Sequence, residues 1–240
     1  MVAIGNALFH YRNGLFPIVF ILLALVSRPI LFGGNHHTDW AMDAVGLAIA
    51  LAGQTLRAAV IGLAYIVRGG KNRRIYADTL VTEGFFAHSR NPLYVGNMLV
   101  YLGLFIVLNS TLGYAVGVPL FLFAYWCITL AEEDFLRNQF GHEFDAYCQR
   151  VPRYIPRFSG LGATLRGMEF DWKRLIRKEY GSTFSWMTAA LALLYWESVR
   201  NRGVAASTTV LAWVVAAWLL VAIGYVTARY LKKANRLQST

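Results

Sequence analysis

The chain has 240 residues, of which 57% are hydrophobic and only 15% are charged, and its formal net charge is +10. A water-soluble domain carries about 25% charged residues, so this composition excludes a disordered chain and an ordinary soluble globule. On a soluble domain the basic excess would suggest nucleic acid, but membrane topology explains it better, and we expect no nucleic-acid partner.

Six apolar stretches follow one another along the chain, and each is near or above the roughly 17 residues that cross a bilayer. They cover residues 14–32, 40–67, 92–108, 112–130, 183–199 and 204–228. A very short connection separates the third and fourth stretches, which predicts an antiparallel helical hairpin. The sequence therefore predicts an all-α integral membrane protein, with about six transmembrane helices in a single polytopic domain over 1–240.

Basic residues concentrate on one side of these stretches. Of the 23 Lys and Arg residues, 19 precede the first stretch, follow the sixth, or lie between the second and third or the fourth and fifth. Loops rich in Lys and Arg stay cytoplasmic. We therefore expect both termini and the long segment 131–182 to face the cytoplasm. The membrane itself is expected to be a plasma or inner membrane, or the endoplasmic reticulum of a eukaryote. Apolar residues at helical spacing within 158–182 predict an amphipathic helix in the headgroup layer.

A helix start with an arginine at its mouth precedes the third stretch. Asn91 can cap this helix and Pro92 suits its first position, while the free backbone N–H groups beside Arg90 favour an anion. This pattern has two interpretations. One is a capped membrane helix with a snorkelling arginine, and the other is an anion site.

Three acids, Glu132, Glu133 and Asp134, follow the fourth stretch, where they oppose the helix dipole. An i,i+4 pair of Glu133 with Arg137 is one explanation. The alternative is that the carboxylates face a cationic ligand.

Arginines supply the other candidate residues. Arg57 lies about 15 Å inside the second stretch, and a charge at that depth usually faces a polar cavity. Arg150 and Arg153 follow an aromatic helical stripe that includes Tyr147, and from there they can reach carboxylates or a lipid headgroup. The histidines and cysteines lack metal-ligand spacing, so we expect no metal site.

Several of these residues fall in the motifs of a known family. Along 53–157 the chain carries, in order, GQTLRAA from Gly53, TLVTEG from Thr79, RNPLYVG from Arg90, EE from Glu132, FGHEF from Phe140, Tyr147 and RVP from Arg150. These resemble the GxxLRxxA, LVTxG, RHPxYxG, EE, FGxEY, Y and RVP elements of the isoprenylcysteine carboxyl methyltransferase family, membrane enzymes related to phospholipid N-methyltransferases. The chain departs from the family at Asn91, which replaces the His of RHP, and at Asp78, where a His often precedes LVT.

The resemblance implies a methyltransferase core at 53–157 with a cytoplasmic site for S-adenosylmethionine. By this resemblance Leu80 and Val81 bind adenosine through their backbones, and the remaining cofactor contacts are Arg90, Asn91, Pro92, Tyr94, Glu132 and Glu133. The catalytic residues are then Arg90, Glu133 and Arg150. We assign substrate contacts to Arg57, Tyr147, Arg150 and Arg153. Residues 183–240 are interpreted as an added C-terminal helical pair.

The predicted reaction is methyl transfer to a lipid-like or prenylated amphiphile, with a carboxylate acceptor favoured. A carboxylate needs alignment by arginines and no general base, whereas an amine would need Glu132 or Glu133 to remove a proton. Two alternatives remain open. One is a reductase of the sterol type that binds NAD(P)H on a similar core, and the other is a non-catalytic protein that binds or transports lipid.

Overall fold

The computed structural model describes residues 1–63, 69–71 and 74–238. As predicted, the described chain is all-helical apart from one short antiparallel ribbon of β1, Gly69–Lys71, and β2, Arg74–Tyr76. Its α-helices are α1 Val2–Val26, α2 His36–Leu63, α3 Pro92–Leu108, α4 Val118–Phe140, α5 His142–Arg150, α6 Leu161–Arg166, α7 Trp172–Arg202 and α8 Thr208–Lys233. Arg68 and Arg73, which contribute to the predicted orientation, lie outside the described residues, as does the end of the predicted second stretch.

Among the described residues, four helical segments are long and apolar enough to cross a membrane. They are Val2–Val26, His36–Leu63, Gly113–Phe140 and Ala205–Lys233. The predicted count of six is not confirmed, because α3 is a shorter apolar helix and α7 begins with charged residues. At 1.5 Å per residue the 17 residues of α3 extend about 26 Å, somewhat less than a bilayer core.

The structure divides the segment predicted as one amphipathic helix over 158–182 differently. A short helix, α6, ends at Arg166, and α7 then begins at Trp172. Asp171 caps α7 by accepting a hydrogen bond from the backbone N–H of Arg174 at 2.8 Å. From there α7 runs without a break to Arg202, so no helix ends at the boundary expected between 182 and 183. The composition changes from charged to apolar inside α7, and such a change does not by itself stop a helix.

A seam of glycines brings α2 and α3 into close contact. A Cβ atom on Gly53 would lie 2.5 Å from the carbonyl oxygen of Gly96, and one on Gly103 would lie 2.3 Å from that of Gly46. Small residues allow helix backbones to approach closely in membrane proteins. The GQTLRAA segment of α2 therefore packs closely against the RNPLYVG segment of α3.

Aromatic side chains fill the space between α1, α3 and α4. The ring centroids of Phe16 and Tyr125 are 5.3 Å apart, and those of Phe20 and Phe105 are 5.1 Å apart, both with edge-to-face geometry. Helices α3 and α4 pack together as the predicted hairpin, with Asn109 in the left-handed conformation at the end of α3. This core holds the first turn of α3 against α4, where the candidate site lies.

Candidate active site

A cavity of about 630 Å³ lies between α1, α3 and α7, with further side chains from α2 and α4. Its polar part contains Arg57, Arg90, Tyr94, Glu132 and Glu179. Its apolar part continues along α3 to Leu104 and is also lined by aromatic residues of α1 and α7. A charged region therefore joins an apolar groove within one cavity.

At the start of α3, Arg90 shares a buried carboxylate with a second arginine. Arg90 Nη1 lies 3.2 Å from Glu133 Oε1, and Arg153 donates two hydrogen bonds to Glu133 at 3.0 and 2.8 Å. The Glu133 side chain is 5% exposed. The i,i+4 pair of Glu133 with Arg137 does not form, because Arg137 instead binds Asp145 at 2.9 Å.

Arg90 retains a donor that no described residue satisfies. Its Nε atom is buried and has no hydrogen-bond partner among the described residues, although Arg90 lines the cavity. A buried donor without a partner costs about 1–3 kcal/mol, so a ligand acceptor at this position would be stabilising.

A hydrogen-bonded chain connects α1, α3 and α4 beside Arg90. Tyr94 Oη donates to Glu132 Oε1 at 2.6 Å, and Arg12 Nη1 donates to Tyr94 Oη at 2.9 Å. All three residues line the cavity. Sequence reasoning placed Arg12 before the first span and assigned it no function. The mostly apolar residues 2–9, which precede Arg12 in the sequence, were the available signal.

Deeper in the cavity, Arg57 is held by side chains from two other helices. It donates to both carboxylate oxygens of Glu179 on α7, at 2.9 and 2.6 Å, and to the side-chain oxygen of Asn97 on α3. The prediction that Arg57 faces a polar cavity is confirmed. Glu179 lies beyond the motifs in the sequence, and sequence reasoning missed it.

The chain after α5 folds back beneath the helix start and fixes it. The backbone N–H of Arg90 donates to Pro152 O at 2.9 Å, and Asn91 Nδ2 donates to Arg153 O at 3.2 Å. Tyr147 is buried and donates to Phe86 O at 2.7 Å. The backbone carbonyl groups of Pro152 and Arg153 therefore support the RNP segment.

The structure brings only part of the predicted site together. Arg57, Arg90, Asn91, Pro92, Tyr94 and Glu132 line the cavity, and Glu133 and Arg153 lie directly behind Arg90. The other predicted residues are not among those that line the cavity: Leu80, Val81, Tyr147 and Arg150. Arg150 is exposed and donates to Ala146 O, one turn earlier in its own helix, at 3.3 Å. Leu80 and Val81 are half-buried in the chain before α3 and pack against two separate apolar clusters.

Cys148 and Arg153, which lie outside the membrane-spanning helices, have shifted pKa values. Burial raises the pKa of the Cys148 thiol, although Arg90 Nη1 donates to its sulfur at 2.6 Å and favours the thiolate. The hydrogen bond to Glu133 raises the pKa of the Arg153 guanidinium. At neutral pH Cys148 is therefore a neutral thiol rather than a nucleophile, beside a firmly cationic Arg153.

Comparison with known proteins agrees with the motifs. The sequence profile of the phospholipid methyltransferase family matches residues 43–143. The chain is 32% identical over 160 residues to the cobalt-zinc-cadmium resistance protein CzcN of Cupriavidus metallidurans, covering 65% of this chain and 69% of that protein. It is 27% identical over 141 residues to protein-S-isoprenylcysteine O-methyltransferase B of Arabidopsis thaliana, covering 56% and 69%. It is 31% identical over 130 residues to the mouse protein-S-isoprenylcysteine O-methyltransferase, covering 52% and 44%. No solved structure shows a significant match to the chain.

A helical membrane fold with a charged mouth on an apolar groove is the architecture expected of an enzyme that modifies lipid-like molecules. The chain belongs to the phospholipid methyltransferase family and is a membrane methyltransferase similar to the isoprenylcysteine methyltransferases. Within the described residues, no group of three or more His, Cys, Asp and Glu side chains could hold a metal ion.

Proposed function

We propose that the protein transfers a methyl group from S-adenosylmethionine to the carboxylate of a prenylated or lipid-like amphiphile at the cytoplasmic face of its membrane. The observation that carries the proposal is the single cavity that joins Arg90, Tyr94 and Glu132 to an apolar groove along α3. Such a cavity can hold a polar methyl donor and an apolar methyl acceptor at the same time.

The residues at the mouth fit S-adenosylmethionine. Arg90 offers a buried, unpartnered Nε–H for a carboxylate, and Glu132 offers an anion for a cationic ligand. Bound there, S-adenosylmethionine would supply an electrophilic methyl group on a sulfonium. We propose that Asn91, Pro92 and Glu133 complete this end of the site by shaping the start of α3 and fixing Arg90. Leu80 and Val81 remain our candidates for adenosine contacts through their backbones.

The charge of the cavity favours an anionic acceptor. The cations Arg12, Arg57, Arg90 and Lys178 line it, against the two acids Glu132 and Glu179. An excess of positive charge within a water-poor cavity favours a carboxylate over a protonated amine. The relatives named protein-S-isoprenylcysteine O-methyltransferase support the same type of acceptor.

The groove leaves room for a long apolar tail. From Pro92 to Leu104 the cavity follows α3 for about 18 Å at 1.5 Å per residue. Phe16, Phe20 and Trp186 border this part of the cavity. We propose that the acceptor's tail occupies this groove and that its head is bound by Arg57. Tyr147 and Arg150 are not part of this acceptor site.

Within this site the protein's main task is alignment. Holding the acceptor oxygen about 3–3.5 Å from the methyl carbon, in line with the bond that breaks, supplies most of the catalysis that a displacement of this kind requires. A carboxylate acceptor carries no proton to remove, so Glu132 and Glu133 need not act as bases. The concentration of basic residues in the predicted cytoplasmic segments supports a cytoplasmic site.

Calorimetry on the full-length protein in detergent tests the donor site. We expect S-adenosylmethionine to bind with a stoichiometry near one and NADPH not to bind. Transfer of a labelled methyl group is then measured with N-acetyl-S-farnesylcysteine, its carboxamide and phosphatidylethanolamine. Transfer to the carboxylate alone supports the proposal, whereas binding of NADPH in place of S-adenosylmethionine, or labelling of the amine lipid alone, contradicts it.

A further inference from the structure

Glu179 connects the C-terminal part of the chain to the cavity. It lies on α7, outside residues 43–143 that match the methyltransferase family, yet it binds Arg57 of the family-like segment. Both side chains are largely buried, with 13% of Arg57 and 6% of Glu179 exposed. A bidentate carboxylate pair restricts the plane of a guanidinium as well as its position.

Two more side chains hold Glu179 in place. Gln54 Nε2 donates to Glu179 Oε2 at 3.2 Å, and Trp186 Nε1 donates to Gln54 Oε1 at 2.8 Å. Gln54 is one turn before Arg57 on α2, and Trp186 is two turns after Glu179 on α7. Arg57 and Gln54 of α2 are therefore hydrogen-bonded with Glu179 and Trp186 of α7 in one network. This network fixes the Glu179 carboxylate before any ligand binds.

The pair does not use all the hydrogen-bonding capacity of Arg57. The bonds to Glu179 and Asn97 occupy three N–H groups, and a guanidinium has further N–H groups on its two terminal nitrogens. Arg57 lines the cavity, so these groups are available to an acceptor. Glu179 orients the arginine without saturating it.

We propose that Glu179 is a positioning residue that holds Arg57 for the acceptor carboxylate and offsets most of the arginine's charge. The inference rests on the proposed methyl transfer. By this proposal α7 contributes a functional residue to the site, although α7 lies outside the residues that match the family.

The chemistry explains why the charge should be offset. In the transfer, a carboxylate oxygen forms the new bond to the methyl carbon while the bond from that carbon to the donor sulfur breaks and its electron pair stays on sulfur. The negative charge on oxygen and the positive charge on sulfur both disappear, and no proton moves. A bare guanidinium in a dry cavity would stabilise the charged reactant more than the less charged transition state, which tightens binding and slows the reaction.

The variant Glu179→Gln tests this inference in the full-length protein. Removing the charge should tighten binding of N-acetyl-S-farnesylcysteine, relative to its neutral carboxamide, by about threefold or more. Because Arg57 is no longer held in one orientation, kcat should fall by about tenfold or more while the acceptor KM falls or stays unchanged. Equilibrium binding of the two radiolabelled probes and steady-state kinetics measure these effects.

A matched control lies on the same helix. Counted over the whole residue, Glu197 and Glu179 are each 4% exposed, but Glu197 lines a different cavity near the start of α8. Glu197→Gln should leave both the binding ratio and kcat as in the native protein. Glu179→Asp keeps the charge on a shorter side chain, so its binding ratio should stay native while kcat is reduced. If Glu179→Gln does not fold, Glu179→Asp still tests whether Glu179 positions Arg57, through its kcat.

An unchanged kcat in Glu179→Gln, a parallel change for carboxylate and carboxamide, or the same behaviour in Glu197→Gln overturns the inference. If the native protein transfers no methyl group, the proposed function fails, and the carboxylate-to-carboxamide binding ratio still decides the role of Glu179. A fall in kcat with an unchanged binding ratio in Glu179→Gln also contradicts charge compensation.

Discussion

Tyr94 Oη lies 2.6 Å from Glu132 Oε1, so a side chain in the first turn of α3 fixes the position of a carboxylate on α4. Arg12 of α1 contacts the same hydroxyl, and all three residues line the cavity. The Tyr94 hydroxyl thus links α1, α3 and α4 at the proposed site of the methyl donor.

The first prediction concerns the Tyr94 hydroxyl. Tyr94→Phe removes a hydrogen bond to an acid, which is worth roughly 1.5–3 kcal/mol and corresponds to a tenfold or greater loss of donor affinity. Calorimetric titration with S-adenosylmethionine measures the change. Tyr101→Phe, which alters another tyrosine of the same cavity seven residues further along α3, should bind the donor normally. Equal affinity in Tyr94→Phe and the native protein would remove Tyr94 from the donor site.

The second prediction concerns the carboxylate shared by Arg90 and Arg153. Glu133→Gln keeps the size of the side chain but leaves two arginines without their common anion. Breaking a buried pair costs about 3–5 kcal/mol, and we expect donor binding and methyl transfer to be lost. Asp134→Asn is the control, because within the described part of the chain Asp134 has one hydrogen bond, of 3.4 Å, to Asn138 in its own helix. Full transfer activity in Glu133→Gln would show that Glu133 does not support Arg90.

The seam between α2 and α3 gives a third prediction. A Cβ atom at Gly96 would lie 2.5 Å from Arg57 Cγ and 2.8 Å from the carbonyl oxygen of Gly53. Gly96→Ala should therefore lower stability by about 1–3 kcal/mol and displace Arg57, so that the acceptor KM or kcat worsens. Thermal unfolding in detergent measures the stability. A Cβ atom at Gly224 would have no described neighbour within 4 Å, so Gly224→Ala should be neutral or slightly stabilising. Equal stability of the two variants would contradict the close approach.

The fourth prediction uses the Cys148 thiol, whose pKa is raised by burial. The folded thiol holds its proton more tightly than the unfolded thiol does. Its contribution to stability is therefore present below the unfolded pKa and is lost as the pH rises through the folded pKa. Iodoacetamide should alkylate Cys148 slowly at neutral pH, and faster once the pH exceeds the ordinary thiol pKa, in a Cys127→Ser background. Rapid alkylation of the folded protein at pH 7 would indicate a thiolate and contradict this environment.

Local patterns in the sequence predicted the part of the site built from consecutive residues. Pro92 at the first position of α3, Arg57 facing a cavity and Glu133 facing a cation follow from capping preferences, the cost of a buried charge and the helix dipole. These effects act within a few residues of each position. The structure confirms the cavity beside Arg57 and gives Glu133 two arginine partners in place of one.

Contacts between distant segments could not be predicted in the same way. Arg57 and Glu179 are 122 residues apart, and Arg12 and Tyr94 are 82 residues apart. Neither pair leaves a periodic signal, because each contact depends on how whole helices pack. The length of α7 was missed for a related reason, since its charged beginning and apolar continuation suggested two elements although no proline interrupts the helix.

The chemical form of the transferred methyl group shows whether the protein methylates a carboxylate. The full-length protein is incubated with S-adenosylmethionine labelled in its methyl group and N-acetyl-S-farnesylcysteine, and the extracted lipid is then treated with mild base. We predict that the label enters the lipid and that base releases it as methanol, as expected of a methyl ester. No incorporation by folded protein, or a label that base does not release, would contradict carboxylate methylation at this cavity.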